Sequence, residues 1–152
     1  LLAAYVLSSI SSGLAIGALV YLALLPFGLP LPARPLTALG FAALGAALIG
    51  LCGVLAALWA DKWDRMATVQ TFVFTPVLFL SGVFFSIERL PDALQAVARA
   101  NPLFYVIDGV RRGLLGQGEA DPLTGVAVLA GTILAAAALC LYLLATGYKL
   151  KP

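Results

Sequence analysis

The stretch PLTALGFAALGAALIGLCGVLAALWA, residues 35–60, contains no Asp, Glu, Lys, Arg or His. A helix needs about 20 mostly apolar residues to cross the hydrocarbon core of a bilayer, and this run exceeds that length. One charged side chain at mid-span would cost about 2.5–3.5 kcal/mol on insertion scales. A run of this length without a charge therefore predicts a membrane-spanning helix.

Three further uncharged runs lie on either side of it: Leu1–Ala33, Met66–Ile87 and Pro122–Tyr148. The chain is 62% hydrophobic and only 11% charged, whereas a soluble domain carries about 25% charged residues. These features predict an all-α integral membrane protein with four transmembrane helices, folded as one domain over residues 1–152. The sequence opens at Leu1 with no Met or charged leader, so we expect it to be truncated at its N-terminus.

Composition also argues against several functions. The chain has no histidine, which removes the Ser-His-Asp triad and the HExxH zinc motif. It has no GxxxxGK[ST] phosphate loop, so it has no ATPase site of that type. The net charge of +2 does not indicate a nucleic-acid partner. We therefore predict no catalytic, metal or cofactor-binding residue in this chain, and Cys52 and Cys140 are interpreted as buried apolar residues.

Small residues in the first two runs predict close helix packing. Gly13 and Gly17 form a GxxxG motif, which lets two helix backbones approach closely in lipid. In the second run, small residues at spacings of three and four predict one smooth stripe for a tight helix–helix contact. That stripe comprises Gly40, Ala43, Ala47, Gly50, Gly53 and Ala57.

A short polar turn separates the second and third runs. It consists of Asp61, Lys62, Trp63, Asp64 and Arg65. Trp59 and Trp63 are placed at interfacial depth, where tryptophan is enriched. From its residues alone, the turn is either a membrane anchor or a contact for a partner.

The third run contains Pro76, followed by Ser81 and Gly82. A proline inside a helix removes one backbone hydrogen bond and usually kinks the helix. In a membrane the freed carbonyl needs a partner in protein or in a water-lined cavity. The kink is either only structural or lies beside a translocation path.

The segment 88–121 holds nine of the sixteen charged residues. Pro91 and Asp92 predict the first turn of a short helix, and Leu90, Leu94 and Val97 its apolar face. Asn101 followed by Pro102 predicts an N-cap and the first residue of a second helix.

The second predicted helix has its own apolar stripe, formed by Leu103, Ile107, Val110 and Leu114. Three glycines are predicted to end it: Gly113, Gly116 and Gly118. Asp108 precedes Arg111 and Arg112 by three and four residues, so an ion pair on the polar face is expected.

Neither predicted helix is long enough to span a bilayer. We therefore predict an amphipathic hairpin that lies in, or dips into, one membrane interface. Charged residues at membrane depth usually mark a pathway, which favours a gate for substrate exit over a passive lid.

Charge counting does not orient the chain. Four crossings put Lys62, Arg65, Lys149 and Lys151 on one side, and Arg34, Arg89, Arg99, Arg111 and Arg112 on the other. The positive-inside rule compares short loops, and four of the latter five arginines belong to the hairpin. When these four are discounted, we expect the lysine-bearing tail to face the cytoplasm, which the family resemblance given below also implies.

The stretch QTFVFTPVLFLSGVFFSIERLPDALQ, residues 70–95, continues after a short gap into NPLFYVIDGVR, residues 101–111. Together they resemble the signature of type-2 ABC export permeases, most closely the bacterial group for polysaccharides, lipo-oligosaccharides and drugs. Ser86 departs from this pattern, since many members carry proline there.

The resemblance implies spans three to six of a six-span permease in the bacterial inner membrane, with a re-entrant hairpin on the outer side before the last span. It also implies that residues 61–65 form a coupling loop to a P-loop ATP-binding subunit, which would carry ATP and Mg²⁺. A second permease copy and the lipid bilayer are the other implied partners. The implied function is ATP-driven export of a lipid, glycan or drug-like substrate.

Two other classes compete with the exporter. A secondary transporter or channel can also contain a re-entrant element, but it usually carries ionisable residues within its spans, and these four runs have none. An intramembrane enzyme would need a nucleophile or a carboxylate pair, and no such motif is present.

Overall fold

The computed structural model describes residues 2–59, 67–82 and 91–146. The helices, numbered in chain order, are α1 (Leu2–Leu24), α2 (Pro35–Trp59), α3 (Ala67–Phe79), α4 (Asp92–Ala100), α5 (Pro102–Leu115) and α6 (Pro122–Ala145). A 3-10 turn, Leu25–Phe27, continues α1 toward the loop that leads to α2. The prediction of an all-α protein is confirmed over these residues.

Three described helices are long and apolar enough to cross a membrane: α1 with its 3-10 turn, α2 and α6. Their mean hydropathies are 2.0, 2.4 and 2.4. No residue of α1 is buried, and its Leu7 and Leu19 are about two-thirds exposed. A helix that is apolar all round belongs in a protein core or a membrane. Because α1 is not in a core, it is a membrane helix.

Helix α2 lies at the centre of the structure and packs against α1, α5 and α6. On the α1 side, the Ser9 hydroxyl donates a hydrogen bond of 2.8 Å to the carbonyl of Ala46. On the other sides, Phe41 and Leu48 form a core cluster with Leu103 of α5 and Leu129 of α6. The uncharged run that predicts the first membrane helix therefore also forms the scaffold for the others.

The small residues of α2 do not act as one stripe. Gly50 packs against Ser9 of α1, where an added Cβ would lie 2.7 Å from the serine side chain. Gly45, which was outside the predicted stripe, packs against Val106 of α5. Gly40 and Gly53 have no neighbour within 4 Å of an added Cβ. The predicted tight helix–helix contact is confirmed at Gly50, which faces α1, but not at Gly40 or Gly53, and α5 approaches a different side of α2.

Helix α3 is shorter than its sequence run predicts. It contains a π-helical turn, Gln70–Phe74, directly before Thr75 and Pro76, and it ends at Phe79 with Leu80 as its C-cap. Gly82 follows with a left-handed φ of +80°. Proline and a π turn both interrupt the regular hydrogen-bond ladder. The regular hydrogen bonding is thus interrupted directly before the kink predicted at Pro76. The rest of the run, residues 83–87, lies outside the described residues.

Helix α5 runs antiparallel to α2 at very short range. Gly109 faces the Phe41 ring, and Gly113 faces the backbone of Ala38. At the start of α2, the amide of Arg34 donates to the carbonyl of Gly113 at 2.8 Å. These pairs fix the register: the C-terminal end of α5 lies beside the beginning of α2.

This register gives the depth of the hairpin. Leu103, near the N-terminal end of α5, joins the cluster around Leu48, which lies near the middle of α2. From Leu103 to Leu114 a helix rises by about 16 Å, roughly half of the 30 Å hydrocarbon core. Helix α5 thus reaches from one end of α2 to its middle, so the hairpin dips into the membrane rather than lying on its surface.

The close approach of α5 to α2 yields a stability prediction. Gly113→Ala should lower the free energy of unfolding by about 1–3 kcal/mol, because its methyl group would overlap the Ala38 backbone and force the helices apart. Gly53→Ala, in open space on α2, is the matched control. The measurement is the thermal unfolding midpoint in detergent, and equal midpoints for the two variants would contradict the packing described here.

Candidate functional site

The candidate site is the α4–α5 hairpin together with the end of α3 that it contacts. At the inner end of the hairpin, Asn101 caps α5 as predicted: its side-chain oxygen accepts a hydrogen bond of 3.0 Å from the amide of Leu103. Pro102 begins the helix, also as predicted. Pro91 immediately precedes α4, with Asp92 in the first turn. The sequence signals for both helix starts are confirmed.

Asn101 also makes a contact that its sequence position does not predict. Its side-chain amide donates a hydrogen bond of 2.8 Å to the carbonyl of Val77, in the last turn of α3. The last carbonyls of a helix lack internal donors, and in lipid they have no water to replace them. Asn101 therefore serves two helices at once.

Asp108 lies in the middle of α5 and is 3% exposed. Its two carboxylate oxygens accept hydrogen bonds from the amides of Glu119, at 2.6 Å, and Ala120, at 3.1 Å. These amides belong to the loop between α5 and α6. Asp108 thus folds this loop back along the helix that precedes it.

The expected ion pair of Asp108 with Arg111 or Arg112 is wrong. Within the described residues, Arg111 pairs with Glu119 at 3.7 Å and donates to the carbonyl of Gly82 at 2.7 Å. Arg112 donates to the carbonyl of Ala120. The buried carboxylate is satisfied by backbone N–H groups, so both arginines reach other acceptors. One residual donor, the Nε of Arg112, is buried without a partner among the described residues.

The three glycines predicted to end α5 have three different roles. Gly116 is the left-handed C-cap, with a φ of +76°, as predicted. Gly113 lies inside the helix against α2, so its prediction as a terminator is wrong. Gly118 lies in the following loop, where an added Cβ would come within 2.9 Å of the Asp108 carboxylate and 2.7 Å of Arg112. The absence of a side chain at Gly118 lets the loop close over these two residues.

The apolar stripe predicted for α5 is only partly the face that packs. Leu103 is buried, whereas Ile107, Val110 and Leu114 are half-buried. Phe104, which is outside the stripe, is buried in a second cluster with Ala98 of α4. The apolar face predicted for α4 is not buried in the chain, since Leu94 and Val97 are 43% and 55% exposed. Leu90 lies outside the described residues.

The end of α3 is buried where the hairpin meets it. Ser81 is fully buried and donates a hydrogen bond to the carbonyl of Leu78. Gly82 is also buried. In contrast, every residue from Ala67 to Leu80 is exposed or half-buried.

Two cavities flank α3. One of about 540 Å³ lies between α3 and α2 and is lined by Ile49, Gly53, Phe74 and Leu78 together with Leu103 of the hairpin. The other, of about 440 Å³, lies between Val77 and Val97 of α4, beside Asn101. Both are mainly apolar, so they suit lipid-like or otherwise hydrophobic groups.

Other predicted positions remain untested. Asp61, Lys62, Trp63, Asp64 and Arg65, predicted as the coupling loop, lie outside the described residues. The described residues also contain no group of three or more His, Cys, Asp or Glu side chains placed to hold a metal ion.

The structure so far defines a class: a helical membrane protein whose last long helix follows a re-entrant hairpin. The family described as ABC-2 type transporter matches residues 1–115, which include α1 to α5. This chain belongs to that family, as its resemblance implied. No solved structure matches the chain significantly.

The curated relatives agree with this membership. The chain is 34% identical over 152 residues to the inner membrane transport permease YadH of Escherichia coli K12, a match that covers 99% of this chain and 59% of that protein. It is 38% identical over 112 residues to nodulation protein J of Rhizobium meliloti strain 1021, covering 74% of this chain and 36% of the relative. The chain thus spans about three-fifths of the length of YadH.

The two backbone amides bonded to Asp108 predict how substitutions of this residue change the stability of the protein. Asp108→Ala should lower the thermal unfolding midpoint, because each amide left without an acceptor costs about 1–3 kcal/mol. Asp108→Asn should have a smaller effect, since its amide group keeps one acceptor oxygen. Asp92→Ala, at an exposed position in α4, is the control.

Exchanging Asp108 and Arg112 within one variant should not restore stability, because the partners of the carboxylate are backbone amides rather than arginine. Recovery of the wild-type midpoint in the exchanged variant would show that an ion pair is the important interaction after all.

Proposed function

We propose that this chain is part of the membrane-spanning permease subunit of an ATP-driven ABC exporter in the bacterial inner membrane. The observation that carries the proposal is the re-entrant hairpin held against α2 inside a protein of the ABC-2 type family. A hairpin that enters the membrane from one side, next to apolar cavities, can open or close a route to that side. The inner-membrane location is supported by the name of the YadH relative, an inner membrane transport permease.

The proposed partner is a separate ATP-binding subunit that carries ATP and Mg²⁺. The chain itself has no P-loop sequence, so hydrolysis is assigned to that subunit and not to this chain. A second permease copy, identical or closely related, is the other proposed partner. The exposed apolar surface of α1 is available for lipid or for such a copy.

The proposed contact with the ATPase is the segment 61–65, which lies between α2 and α3 in the chain and which the sequence predicts to be a short turn. A short turn with an aromatic residue and charges of both signs suits a groove on a protein partner, where a buried aromatic anchor supplies much of the affinity. If the turn faces the cytoplasm, the antiparallel register places the hairpin on the outer half of the membrane.

The proposed substrate is a hydrophobic or amphiphilic molecule, since both cavities beside α3 have mainly apolar linings. This description includes lipids, lipid-linked glycans and many drugs. A secondary transporter remains the competing class, and the uncharged faces of α1, α2 and α6 argue against ion coupling through them.

The coupling proposal predicts the behaviour of a double variant. Trp63→Ala with Arg65→Glu should reduce copurification of the ATP-binding subunit with the full-length permease, because it removes the aromatic anchor and reverses one charge. The same variant should lose the permease-dependent change in ATPase rate. Trp59→Ala, at the neighbouring interfacial tryptophan, is the matched control.

Insertion of the variant in the membrane is checked first by extraction and size-exclusion chromatography. If a normally inserted double variant retains the partner and the wild-type ATPase rate, residues 61–65 are only a membrane anchor. If the wild-type permease binds no ATP-binding subunit and its flux follows an ion gradient, the exporter proposal fails as a whole.

A further inference from the structure

Helix α3 connects the proposed ATPase contact to the proposed gate. Its first described residue, Ala67, follows the 61–65 turn closely in the chain, and its last turn is bonded to the hairpin. Between these ends the helix has cavities on two sides and no buried residue as far as Leu80. A shift of this helix relative to α2 would therefore displace no fully buried residue between Ala67 and Leu80.

The regular backbone of α3 is interrupted at one place. The amide of Thr75 bonds to the carbonyl of Gln70, five residues earlier, and the Thr75 hydroxyl reaches the same oxygen at 3.3 Å. Pro76 follows and has no N–H to donate. π turns and prolines are common sites of helix bending, so this segment is a suitable hinge.

Beyond the hinge, two side chains of α5 hold the end of α3. Asn101 donates to the Val77 carbonyl at 2.8 Å, and Arg111 donates to the Gly82 carbonyl at 2.7 Å. Asn101 is also the N-cap of α5. A displacement of the α3 end that keeps this bond must therefore move the beginning of α5.

The opposite end of α5 is fixed. The amides of Ala33 and Arg34 bond to the carbonyls of Leu114 and Gly113, at 3.2 and 2.8 Å. Asp108 holds the next loop through its two amide contacts. Because the outer end of α5 is anchored by backbone bonds and the inner end is bonded to α3, a pull from α3 acts on the inner end, against the packing of Leu103 in the cluster with Leu48.

We propose that α3 is a hinged arm that transmits movement of its N-terminal end, near Ala67, to the hairpin, and that Asn101 and Arg111 are the positioning residues through which it acts. The inference rests on the proposed function, since it takes the turn as the contact for the ATP-binding subunit. It adds the path by which that contact reaches the gate.

Substitutions at Asn101 can separate its two roles, the hydrogen bond to the Val77 carbonyl and the N-cap bond to the Leu103 amide. Aspartate and serine are both good N-cap residues, so Asn101→Asp and Asn101→Ser keep an acceptor for the Leu103 amide. Neither retains the side-chain amide that reaches Val77. Only Asn101→Asp introduces a charge. An effect that both variants share therefore comes from loss of the hydrogen bond to Val77. Asp121→Ser is the matched control, since Asp121 caps α6 and its side chain bonds to Thr124 of that helix.

The experiment uses the full-length permease with its ATP-binding subunit in lipid nanodiscs, in a background without native cysteines. Nitroxide labels at Val97 of α4 and Leu134 of α6, both exposed positions, report the hairpin position by electron-electron distance measurement. Distances are compared without nucleotide and with a non-hydrolysable ATP analogue and Mg²⁺. The ATPase rate and the thermal midpoint are measured on the same samples.

In the wild type and in Asp121→Ser, we expect nucleotide to shift the distance distribution. In both Asn101 variants the shifted population should fall by about fivefold or more, as expected when a coupling contact is lost, while the ATP-binding subunit stays bound. Arg111→Gln should also reduce the shifted population, and Arg111→Lys should retain more of that population than Arg111→Gln does. If the Asn101 variants are too unstable to purify, the Arg111 pair decides the question.

A distance shift as large as in the wild type, in stable Asn101 variants, would contradict the proposal that α3 acts as an arm. If the Asn101 variants cannot be purified, the same result in Arg111→Gln would contradict it. Either outcome leaves the exporter proposal intact. A wild-type complex that hydrolyses ATP under control of the permease, but shows no distance change, would also overturn the arm. Failure of the wild-type permease to bind or regulate an ATP-binding subunit would instead remove the proposed function on which the inference rests.

Discussion

The structure depends on one constraint: backbone polar groups inside a bilayer must find partners in the protein. Helices α1, α2 and α6 satisfy this requirement internally over their length. The hairpin cannot, because α5 begins near mid-membrane depth and α3 ends close to it. Asn101 resolves the problem for both helices, since its oxygen caps α5 and its amide meets the Val77 carbonyl of α3. A single side chain thus satisfies one backbone polar group at each of two helix ends at this depth.

Close backbone approach provides the other half of the solution. In lipid there is no hydrophobic drive between helices, so association depends on packing and polar contacts. Gly109 and Gly113 allow α5 to lie directly on Phe41 and Ala38 of α2. The buried carboxylate of Asp108 then holds the loop before α6. The outer half of the hairpin is therefore bonded to the beginning of α2, whereas its inner end is held by Leu103 in the α2 cluster and by the Asn101 bond to α3.

Much of this arrangement follows from local sequence signals. Uncharged runs predict the long helices, Asn101-Pro102 predicts the start of α5, and Gly116 predicts its end, because each signal depends on residues that are neighbours in the chain. The partners of Asp108 are not predictable in this way. Its carboxylate oxygens accept hydrogen bonds from backbone amides of a loop. The spacing of charged residues along the chain does not predict the path of a loop. Spacing along the chain therefore predicts a pairing of the carboxylate with the nearest arginines, which the structure does not contain.

The role of Gly113 and the two contact faces of α2 could not be predicted for a related reason. A glycine near a helix end serves equally well as a terminator or as a packing surface, and only the position of a second helix decides between them. Pro76 indicates that the regular part of α3 is short. The bond from Asn101 to the last turn of α3 joins residues 24 positions apart, so no local sequence signal predicts it.

The depth of the hairpin is the central claim and can be measured directly. Single nitroxide labels at Ala100, at the inner end, and at Gln117, beyond the outer end, are both at exposed positions. In lipid bilayers, relative collisions with oxygen and with a water-soluble nickel complex report depth, and Leu134 near the middle of α6 gives the mid-membrane reference. We predict that Ala100 matches Leu134 in depth while Gln117 is in water. Equal, shallow depths at Ala100 and Gln117 would show that the hairpin lies on the membrane surface, and would contradict the account.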